Sequence, residues 1–381
     1  TAVLFDGLRI RDAADPQGSA SPFLEVLNTM DTASVEVLRG SGSSLYGSHA
    51  IGGVINIRGE EGGGPWRGQL LTEGGGLGLL RGVARASGSI GDRLLLSAGV
   101  GHLNVRDGVA GANPHRNTNG QGFARWLITP SMSLSGRVTG ITAWTRLTDS
   151  PFVAFEQTAN LPATGIIRAI PLPDDQLLRL ERGLPVNYGN SNYVPAPNDP
   201  DYSRPATIRN YSAIFRHELS PLASWRVSYQ GLDSQRRFDD GPAGNSYQPV
   251  FSNRSRFDGR IHLLQARADV QPHRTQSLTF FYEREQERYA GSNSDENPVP
   301  ALRASDSTTV NQSSNSYAAQ SQSQLLNGAL RIALSGRLQQ FAMDTPRFGG
   351  ATSPYQGTES TFQSPPRALT GDIAAAYLIS R

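Results

Sequence analysis

The chain has 381 residues, including 41 glycines, 24 prolines and no cysteine, and its 35 basic and 33 acidic residues leave a net charge of +2. The lack of cysteine excludes disulfides and thiolate metal sites, and the near balance of charge gives no reason to expect nucleic acid as a partner. The longest apolar run, residues 373–379, is too short for a spanning helix, which needs about 20 residues. Membrane-spanning strands need only about 9–11 residues, so a strand-based membrane protein stays open.

Residues 1–64 are glycine-rich and divide into short strand and turn units. Within residues 31–57, a strand-like piece is followed by a Leu-Tyr-Gly piece and then by a second, glycine-flanked strand. The glycines permit tight turns and positive φ angles. The residues that make up this signature are Val35, Glu36, Val37, Leu38, Arg39, Gly40, Leu45, Tyr46, Gly47, Gly52, Gly53 and Asn56.

In order and spacing, this signature strongly resembles the end of the plug domain of TonB-dependent receptors, and residues 3–8 are similar to the family's preceding strand and turn. The resemblance implies an all-β fold, in which a transmembrane antiparallel β-barrel of about 22 strands when complete encloses an N-terminal plug. A phosphate-binding loop is a weak rival, because Ser48 and His49 stand where Lys and Ser or Thr are required. Nucleophile-elbow and zinc-protease motifs are absent, so we expect no enzyme.

Twelve amphipathic strands are predicted after residue 64, each with one apolar and one polar face. For example, Leu330, Ile332 and Leu334 alternate with Arg331 and Ser335. A soluble β-sandwich would show the same alternation, so the pattern alone does not distinguish lipid outside from a core inside. The predicted strands cover residues 66–73, 78–88, 92–105, 120–128, 133–146, 206–218, 224–237, 259–270, 275–289, 310–325, 329–342 and 366–379.

The connections between these strands alternate between short turns and long loops, apart from a short link at 74–77. Outer-membrane barrels have short periplasmic turns and longer extracellular loops, whereas a sandwich has no reason to sort its loops by length. Aromatic residues near the strand ends are candidates for interface girdles, with ordinary core packing as the alternative. They are Trp126, Trp144, Phe215, Trp225, Tyr282 and Tyr377.

The change from a glycine-rich region to a region of amphipathic strands predicts two domains. Residues 1–64 are interpreted as the C-terminal part of the plug, and residues 65–381 as the first half of the barrel. About 12 of about 22 strands are then present. The signal peptide, the TonB box and the remaining strands are expected to lie outside this stretch of sequence.

One salt bridge between plug and barrel is suggested by the resemblance, because plug arginines of the family pair with barrel glutamates. Arg39 is the candidate on the plug, and Glu283 and Glu285 are the candidates on the barrel, since they alternate with apolar residues and should face the lumen. The alternative is that these glutamates extend above the membrane and meet Arg284 and Arg288.

The longest loop, residues 147–205, is predicted to be irregular and to cap a ligand site. Tyr188, Tyr193 and Tyr202 are candidates for stacking on a ligand. Four carboxylates are weak candidates for calcium, because calcium prefers hard oxygen ligands, although solvated loop carboxylates are the blander interpretation. They are Asp174, Asp175, Asp199 and Asp201. No cofactor is expected.

The resemblance implies active import of a scarce nutrient across the bacterial outer membrane. Plug rearrangement would be driven by a TonB-type energy-coupling protein, and the partners would be the lipid bilayer and a ferric siderophore or cobalamin. The rivals are a passive porin-like channel, a surface-adhesion barrel and a soluble β-sandwich. A porin has no N-terminal plug, so the signature at 31–57 argues against it.

Overall fold

The computed structural model describes residues 1–14, 32–40, 46, 50–108, 113–148, 152–153, 168–195, 197–242, 251–358 and 362–379. Within them, the N-terminal part forms a four-stranded sheet in the order β2-β1-β4-β3. Its strands are β1 (Ala2–Phe5), β2 (Leu8–Ile10), β3 (Thr32–Arg39) and β4 (Gly53–Gly59). β1 pairs in parallel with β4, and β3 is an edge strand whose side chains are mostly exposed. We refer to this unit as the small sheet.

The rest of the chain builds one large antiparallel sheet. Its first five strands are β5 (Arg67–Gly75), β6 (Leu79–Ile90), β7 (Leu94–Val105), β8 (His115–Thr129) and β9 (Met132–Thr148). The next connection holds β10 (Phe152–Val153), helix α1 (Asp174–Glu181) and β11 (Tyr193–Val194). Then follow β12 (Asn198–Ser220), β13 (Ala223–Asp240), β14 (Asn253–His273), β15 (Gln276–Asp295), β16 (Ser305–Leu325), β17 (Leu330–Met343), β18 (Arg347–Gly349) and β19 (Ala368–Tyr377).

Twelve strands pair in sequence order from β5 to β19, with β18 attached beside β16. All twelve predicted strands are confirmed, and so is the all-β fold class. The strands are longer than predicted at the ends that lead into long loops: β12 begins at Asn198 and β15 continues to Asp295. The residues at these ends are mostly polar and lack apolar periodicity, so hydrophobic patterning did not mark them. The division into domains after residue 64 stays a prediction.

The two faces of the large sheet differ in polarity, and the polar face is the buried one. The face that contacts the small sheet, here called the inner face, is rich in buried polar side chains such as Gln230, Gln265 and Arg337. The opposite, outer face exposes large apolar side chains: Val138 is 60% exposed and Phe280 is 50% exposed. A soluble sandwich would bury these apolar residues and expose the polar ones, so this inversion argues for an apolar surrounding.

The outer face also carries the six aromatic residues predicted for the interface girdles. The strand registers place each of them on the side away from the small sheet; Trp126, for example, pairs with Leu94 and Leu134. Aromatic contacts link neighbouring strands on this face, as between Phe215 and Trp225, whose ring centroids are 5.3 Å apart. Their role as a girdle stays a prediction.

The small sheet packs into the inner face through one apolar cluster. Val3, Phe5 and Ile10 of the small sheet meet Ile141, Ile208, Leu232 and Ile261 of the large sheet. In the described ranges, no helix is both long and apolar enough to cross a membrane. The prediction that residues 147–205 are irregular is wrong in part, because this stretch contains α1 and the β10–β11 pair, held by a small cluster of Leu172, Leu180 and Val194.

Candidate functional site

The site begins with the hairpin of β1 and β2. Asp6 and Gly7 form its two-residue turn and both have positive φ, 51° and 80°, as a type I′ turn requires. In β2, the period of two puts Arg9 on the face opposite Leu8 and Ile10. The short hairpin and the residues just after it therefore carry four charges, Asp6, Arg9, Arg11 and Asp12, and all four reach the inner face of the large sheet.

Two of these charges meet a column of glutamates on β15. The Arg9 Nη2 atom lies 2.5 Å from Glu283 Oε1, and the Arg11 Nη2 atom lies 2.6 Å from Glu285 Oε1. Arg11 also donates to both oxygens of Glu287, at 2.9 and 2.5 Å. Arg9 and Arg11 repeat with the same period of two as the glutamates of β15, and the two sets thus form a ladder of charge-assisted hydrogen bonds.

Glu283 is the centre of this ladder. It is 2% exposed and also accepts hydrogen bonds from Arg337 Nη2 at 2.8 Å and from Gln265 Nε2 at 2.9 Å. The same Arg337 nitrogen donates to Ser316 Oγ at 2.8 Å. A buried carboxylate is costly unless it is paired and hydrogen-bonded, and Glu283 meets both conditions.

A second contact joins the hairpin turn to β9. Asp6 Oδ2 accepts a hydrogen bond from Arg137 Nε at 2.6 Å, and Arg137 Nη2 donates to the Glu60 carbonyl at 2.9 Å. The Arg137 guanidinium lies 4.5 Å from the ring centroid of Phe123 and 5.5 Å from that of Phe5. Arg137 therefore bridges the small sheet and the wall through charge, hydrogen bonding and two aromatic faces.

A third contact joins the end of the hairpin to β13. Asp12 Oδ2 lies 2.9 Å from Arg236 Nε, and Asp12 Oδ1 accepts a hydrogen bond from Ser234 Oγ at 2.7 Å. The neighbouring strand makes room for this approach: a Cβ on Gly259 would lie 3.0 Å from the Ala14 nitrogen. The hairpin is thus fastened to three separate strands of the wall, and we call these contacts the hairpin interlock.

The structure pairs Glu283 and Glu285 with Arg9 and Arg11 of the hairpin, whereas the sequence analysis proposed Arg39 as their plug partner. Arg39 lies on exposed β3, and the described residues contain no ion pair between it and Glu283 or Glu285. The alternative does not match the structure either, because Glu283 and Glu285 are buried on the inner face, whereas Arg284 is exposed on the outer face. The motif that carried the resemblance drew attention to Arg39, although the partners sit nearer the N-terminus.

A local sequence signal for the true partners existed. Arg9 and Arg11 alternate with Leu8 and Ile10 directly after an Asp-Gly turn, and the β15 glutamates repeat with the same period. Sequence alone gave no way to know that two such strands face each other. Arg137 and Arg236 carried no comparable local signal. Each lies on a strand with more than one arginine, and nothing in the sequence distinguishes it from the others.

The rest of the plug signature is structural in this fold. A Cβ on Gly53, whose φ is +135°, would lie 2.6 Å from the Leu38 carbonyl oxygen, so β3 and β4 require glycine there. Asn56 donates to Glu36 at 2.9 Å, and Tyr46 packs against the buried pair Leu4 and Val54. Val35, Val37 and Leu38 are exposed on β3, Gly40 follows that strand, and Gly52 precedes β4. Leu45 and Gly47 lie outside the described residues.

The ligand-loop candidates fall in different places. Tyr188 packs on the small cluster beside α1, Tyr193 lies in β11, and Tyr202 belongs to β12 instead of the loop. Their role in ligand binding stays a prediction.

Two of the four calcium candidates come together. Asp199 and Asp201 each bring a carboxylate oxygen to within 4.8 Å of the other and of Asp240, which the sequence did not single out. Asp174 and Asp175 are exposed in the first turn of α1, where negative charge favours the helix dipole. Burial raises the pKa of Asp199 to about 7, with further contributions from its hydrogen bond to Asp201 and the charge of Asp240. Calcium binding stays a prediction.

Comparison with known proteins agrees with this architecture. Residues 1–54 match the TonB-dependent receptor plug domain. No curated protein sequence matches the chain.

The fold is similar to solved siderophore receptors. The ferric yersiniabactin uptake receptor FyuA of Yersinia pestis is 14% identical with a TM-score of 0.68, covering 100% of this chain and 53% of the receptor. The ferripyoverdine receptor of Pseudomonas aeruginosa is 11% identical with a TM-score of 0.68, covering 100% and 48%. The closed form of the ferric-catecholate import receptor Fiu of E. coli K12 is 14% identical with a TM-score of 0.66, covering 100% and 56%.

The chain therefore spans about half the length of the solved receptors that it matches. The plug-domain match and the shared fold confirm the resemblance and the fold class of a plug within a barrel wall. The expectation that the chain is not an enzyme stays a prediction.

Proposed function

We propose that this chain, which joins a TonB-dependent receptor plug domain to barrel strands of the same fold, is part of an outer-membrane receptor that imports a ferric siderophore. The observation that carries the proposal is the hairpin interlock. It seats the small sheet against the polar inner face of the wall, where a porin would leave a water-filled lumen.

The outer-membrane location is supported by the wall itself. Its outer face exposes apolar side chains such as Val138 and Phe280, and its inner face buries charged ones such as Glu283 and Arg337. This is the arrangement expected of a strand wall with lipid on one side and polar contents on the other.

Energy coupling through a TonB-type protein is the finer part of the proposal. A plug held by several buried ion pairs does not leave its seat without a driving force, because each broken pair leaves a charge in a poorly solvated place. Import past such a plug therefore calls for work supplied from elsewhere, which in the TonB-dependent family comes from the inner membrane.

A ferric siderophore is preferred over cobalamin as the ligand because the three solved proteins of this fold named in the preceding subsection are receptors for ferric compounds. The chain's own ligand-contacting residues do not discriminate between the two. Cobalamin therefore stays as the second ligand to be tested.

The test is uptake by iron-limited cells that lack their own siderophore receptors and express the complete gene. Labelled ferric yersiniabactin, ferripyoverdine, a ferric catecholate and cobalamin are supplied separately. We expect one ferric siderophore to accumulate, and a proton uncoupler or loss of TonB to abolish accumulation. Cells with an empty vector are the control.

The rival functions give different results in the same assay. A passive porin-like channel would admit small solutes at a rate that the uncoupler does not change. A surface-adhesion barrel would show neither tight ligand binding nor uptake. Either result would contradict the proposal.

A further inference from the structure

The outer face of the wall carries a row of charged residues that the plug and its ligand do not explain. Arg209 on β12 pairs in register with Asp233 on β13, Asp233 pairs with Arg260 on β14, and Arg260 pairs with Arg288 on β15. These four residues form one continuous line across four strands, here called the arginine row.

The arginine row faces away from the plug. Each member is flanked in sequence by residues of the inner face: Asn210, Leu232 and Ile261 are buried there, and Glu287 binds Arg11. Because side chains alternate along a strand, Arg209, Asp233, Arg260 and Arg288 point to the opposite side. Accordingly, all three arginines are exposed.

The height of the row on the wall matches a membrane boundary. Asp233 lies ten residues along β13 from Ala223, which follows the short turn. At about 3.4 Å per residue and a tilt near 40°, that distance is about 26 Å along the barrel axis, and the apolar band of outer-membrane barrels is about 25 Å tall. The row therefore sits where hydrocarbon gives way to headgroups, on the side of the long loops.

The residues below the row agree with this level. On β13 the outer face between turn and row presents Trp225, Val227, Tyr229 and Gly231, none of which is charged. Directly below the row, the Tyr229 hydroxyl lies 2.8 Å from His262 Nδ1 and the two rings stack at 6.1 Å. Aromatic rings with polar tips are typical of the membrane interface. Arg284 is the one charged residue lower down on the outer face of β15, and its Nη1 donates to Asn315 at 3.2 Å.

The arginine row has a net positive charge, since it contains three arginines and one aspartate. Arg260 binds Asp233 at 2.6 Å, and just above the row Arg256 binds Asp258 at 2.7 Å. Arg209 and Arg288 have no ion pair among the described residues. Together the row lines a groove of about 540 Å³, whose other walls include Thr207 and Gln235.

We propose that the arginine row binds the phosphorylated headgroup of an anionic glycolipid in the outer leaflet. Guanidinium groups bind phosphate oxygens with two parallel hydrogen bonds, and basic clusters at a membrane surface attract anionic headgroups. The two unpaired arginines supply the charge, and the groove has room for a phosphorylated sugar. The inference rests on the proposed outer-membrane location and is independent of the imported ligand.

The test uses the complete receptor purified in detergent and three probes: lipid A, dephosphorylated lipid A and inorganic phosphate. The variant is the double substitution Arg209→Gln and Arg288→Gln. The matched control is Arg106→Gln with Arg303→Gln, two exposed arginines near loops that change the net charge equally. The gel shift of the folded barrel in unheated detergent checks folding, and a double Arg→Lys variant keeps the charge while removing the fork geometry.

We expect lipid A to bind the Gln variant roughly 30-fold more weakly than the parent, the control to match the parent, and the Lys variant to fall between. Equal binding by parent and Gln variant would overturn the proposal, and so would equal binding of dephosphorylated lipid A. Saturation by inorganic phosphate at the concentration of lipid A that half-saturates the receptor would instead identify a soluble-anion site.

Failure of the two proposals can be told apart in the same strains. Weakened lipid A binding by the Gln variant, together with siderophore uptake equal to that of the parent, supports the arginine row and leaves the transport function unaffected. Lipid A binding by the parent that the Gln variant loses, without uptake of any ligand by the parent, contradicts the transport function and leaves the row supported.

Discussion

Strands β13, β14 and β15 carry charge on both faces, but the two faces use it differently. On the inner face, Glu283 and Glu285 are 2% and 8% exposed and are matched by arginines from the hairpin and from β17. On the outer face, Arg260 and Asp233 pair at 2.6 Å while their side chains stay 59% and 32% exposed. The same chemistry is therefore isolated from water on one side and open to it on the other.

This difference in exposure indicates different roles for the charges on the two faces. Losing one partner of a buried pair is strongly destabilising, because the other charge remains without solvent. The buried pairs of the inner face therefore fix the plug in one position relative to the wall. An exposed pair contributes little stability by itself, so the outer-face charges are better understood as a surface offered to the membrane. Four experiments test this comparison.

The largest effect is expected from Glu283→Gln. It leaves Arg9 and Arg337 buried without their shared carboxylate and should lower the free energy of plug unfolding by about 3–5 kcal/mol. Because the chain has no cysteine, one cysteine introduced at exposed Val37 carries a spin label whose mobility reports plug release in a urea titration.

Glu296→Gln, at an exposed position, is the matched control for Glu283→Gln and should leave the urea midpoint unchanged. An unchanged midpoint for Glu283→Gln too would mean that the hairpin interlock does not hold the plug.

A steric change at the same seat should act more weakly. Gly259→Leu places a side chain against Ala13 and Ala14, whose atoms would lie about 3 Å from a new Cβ, and overpacking of this kind costs about 1–3 kcal/mol. The same spin label measures the effect. Gly120→Leu is the control, since nothing lies within 4 Å of a Cβ there. Equal behaviour of both variants would show that the hairpin seats elsewhere.

Asp199 gives a pH-dependent prediction at the loop end of β12. Its pKa is raised to about 7 by burial, by Asp201 and by Asp240, whereas an unfolded aspartate titrates near 4. The folded state thus holds the proton more tightly, and the stability of this region should fall as pH rises from about 4 to about 7. The protection factors of the Asn198, Asp199 and Asp201 amides, that is, exchange rates corrected for the intrinsic effect of pH and measured with a chelator present, should fall over that interval.

Asp199→Asn should remove most of this pH dependence. The variant Asp174→Asn, on exposed α1, should keep it. A parent protein whose protection factors at these amides are constant between pH 4 and pH 7 would contradict the assignment. Slower exchange on addition of calcium at neutral pH would support the predicted cation site.

The smallest effect is expected on the outer face. Asp233→Asn removes one partner of an exposed pair and should change stability by roughly 0–1 kcal/mol, because the freed Arg260 is solvated. Urea unfolding measures this change, and lipid A binding should tighten slightly as the row loses its one negative charge. A loss as large as that of Glu283→Gln would erase the contrast between the two faces.

Much of this fold could be predicted from local sequence patterns. The twelve wall strands followed from alternation, and Asp6-Gly7 has the residues of a type I′ turn. The strand extensions beyond the apolar band were missed because Asn198 to Tyr202 and Ser292 to Asp295 have no apolar period. Ser292 to Asp295 are paired with neighbouring strands, whereas on β12 Asn198 pairs with Thr148 and the register then shifts until Ser203.

The site was predicted less completely, for a different reason. Glu283 and Glu285 were identified because their facing direction follows from strand alternation. Their partners are 274 residues away in sequence, and no local pattern encodes which strand of the plug meets which strand of the wall. Asp240 was missed on the same ground, since it joins Asp199 only through the pairing of β12 with β13.

The order β2-β1-β4-β3 in the small sheet has a mechanical consequence. The hairpin interlock fastens β1 and β2, at one side of that sheet, while β3 is the free edge at the other. A pull on β3 loads its antiparallel pairing with β4 first, then the parallel pairing of β4 with β1, and only then the charged contacts with the wall. Under tension the small sheet would therefore open strand by strand from β3, while the hairpin of β1 and β2 stays attached to the wall.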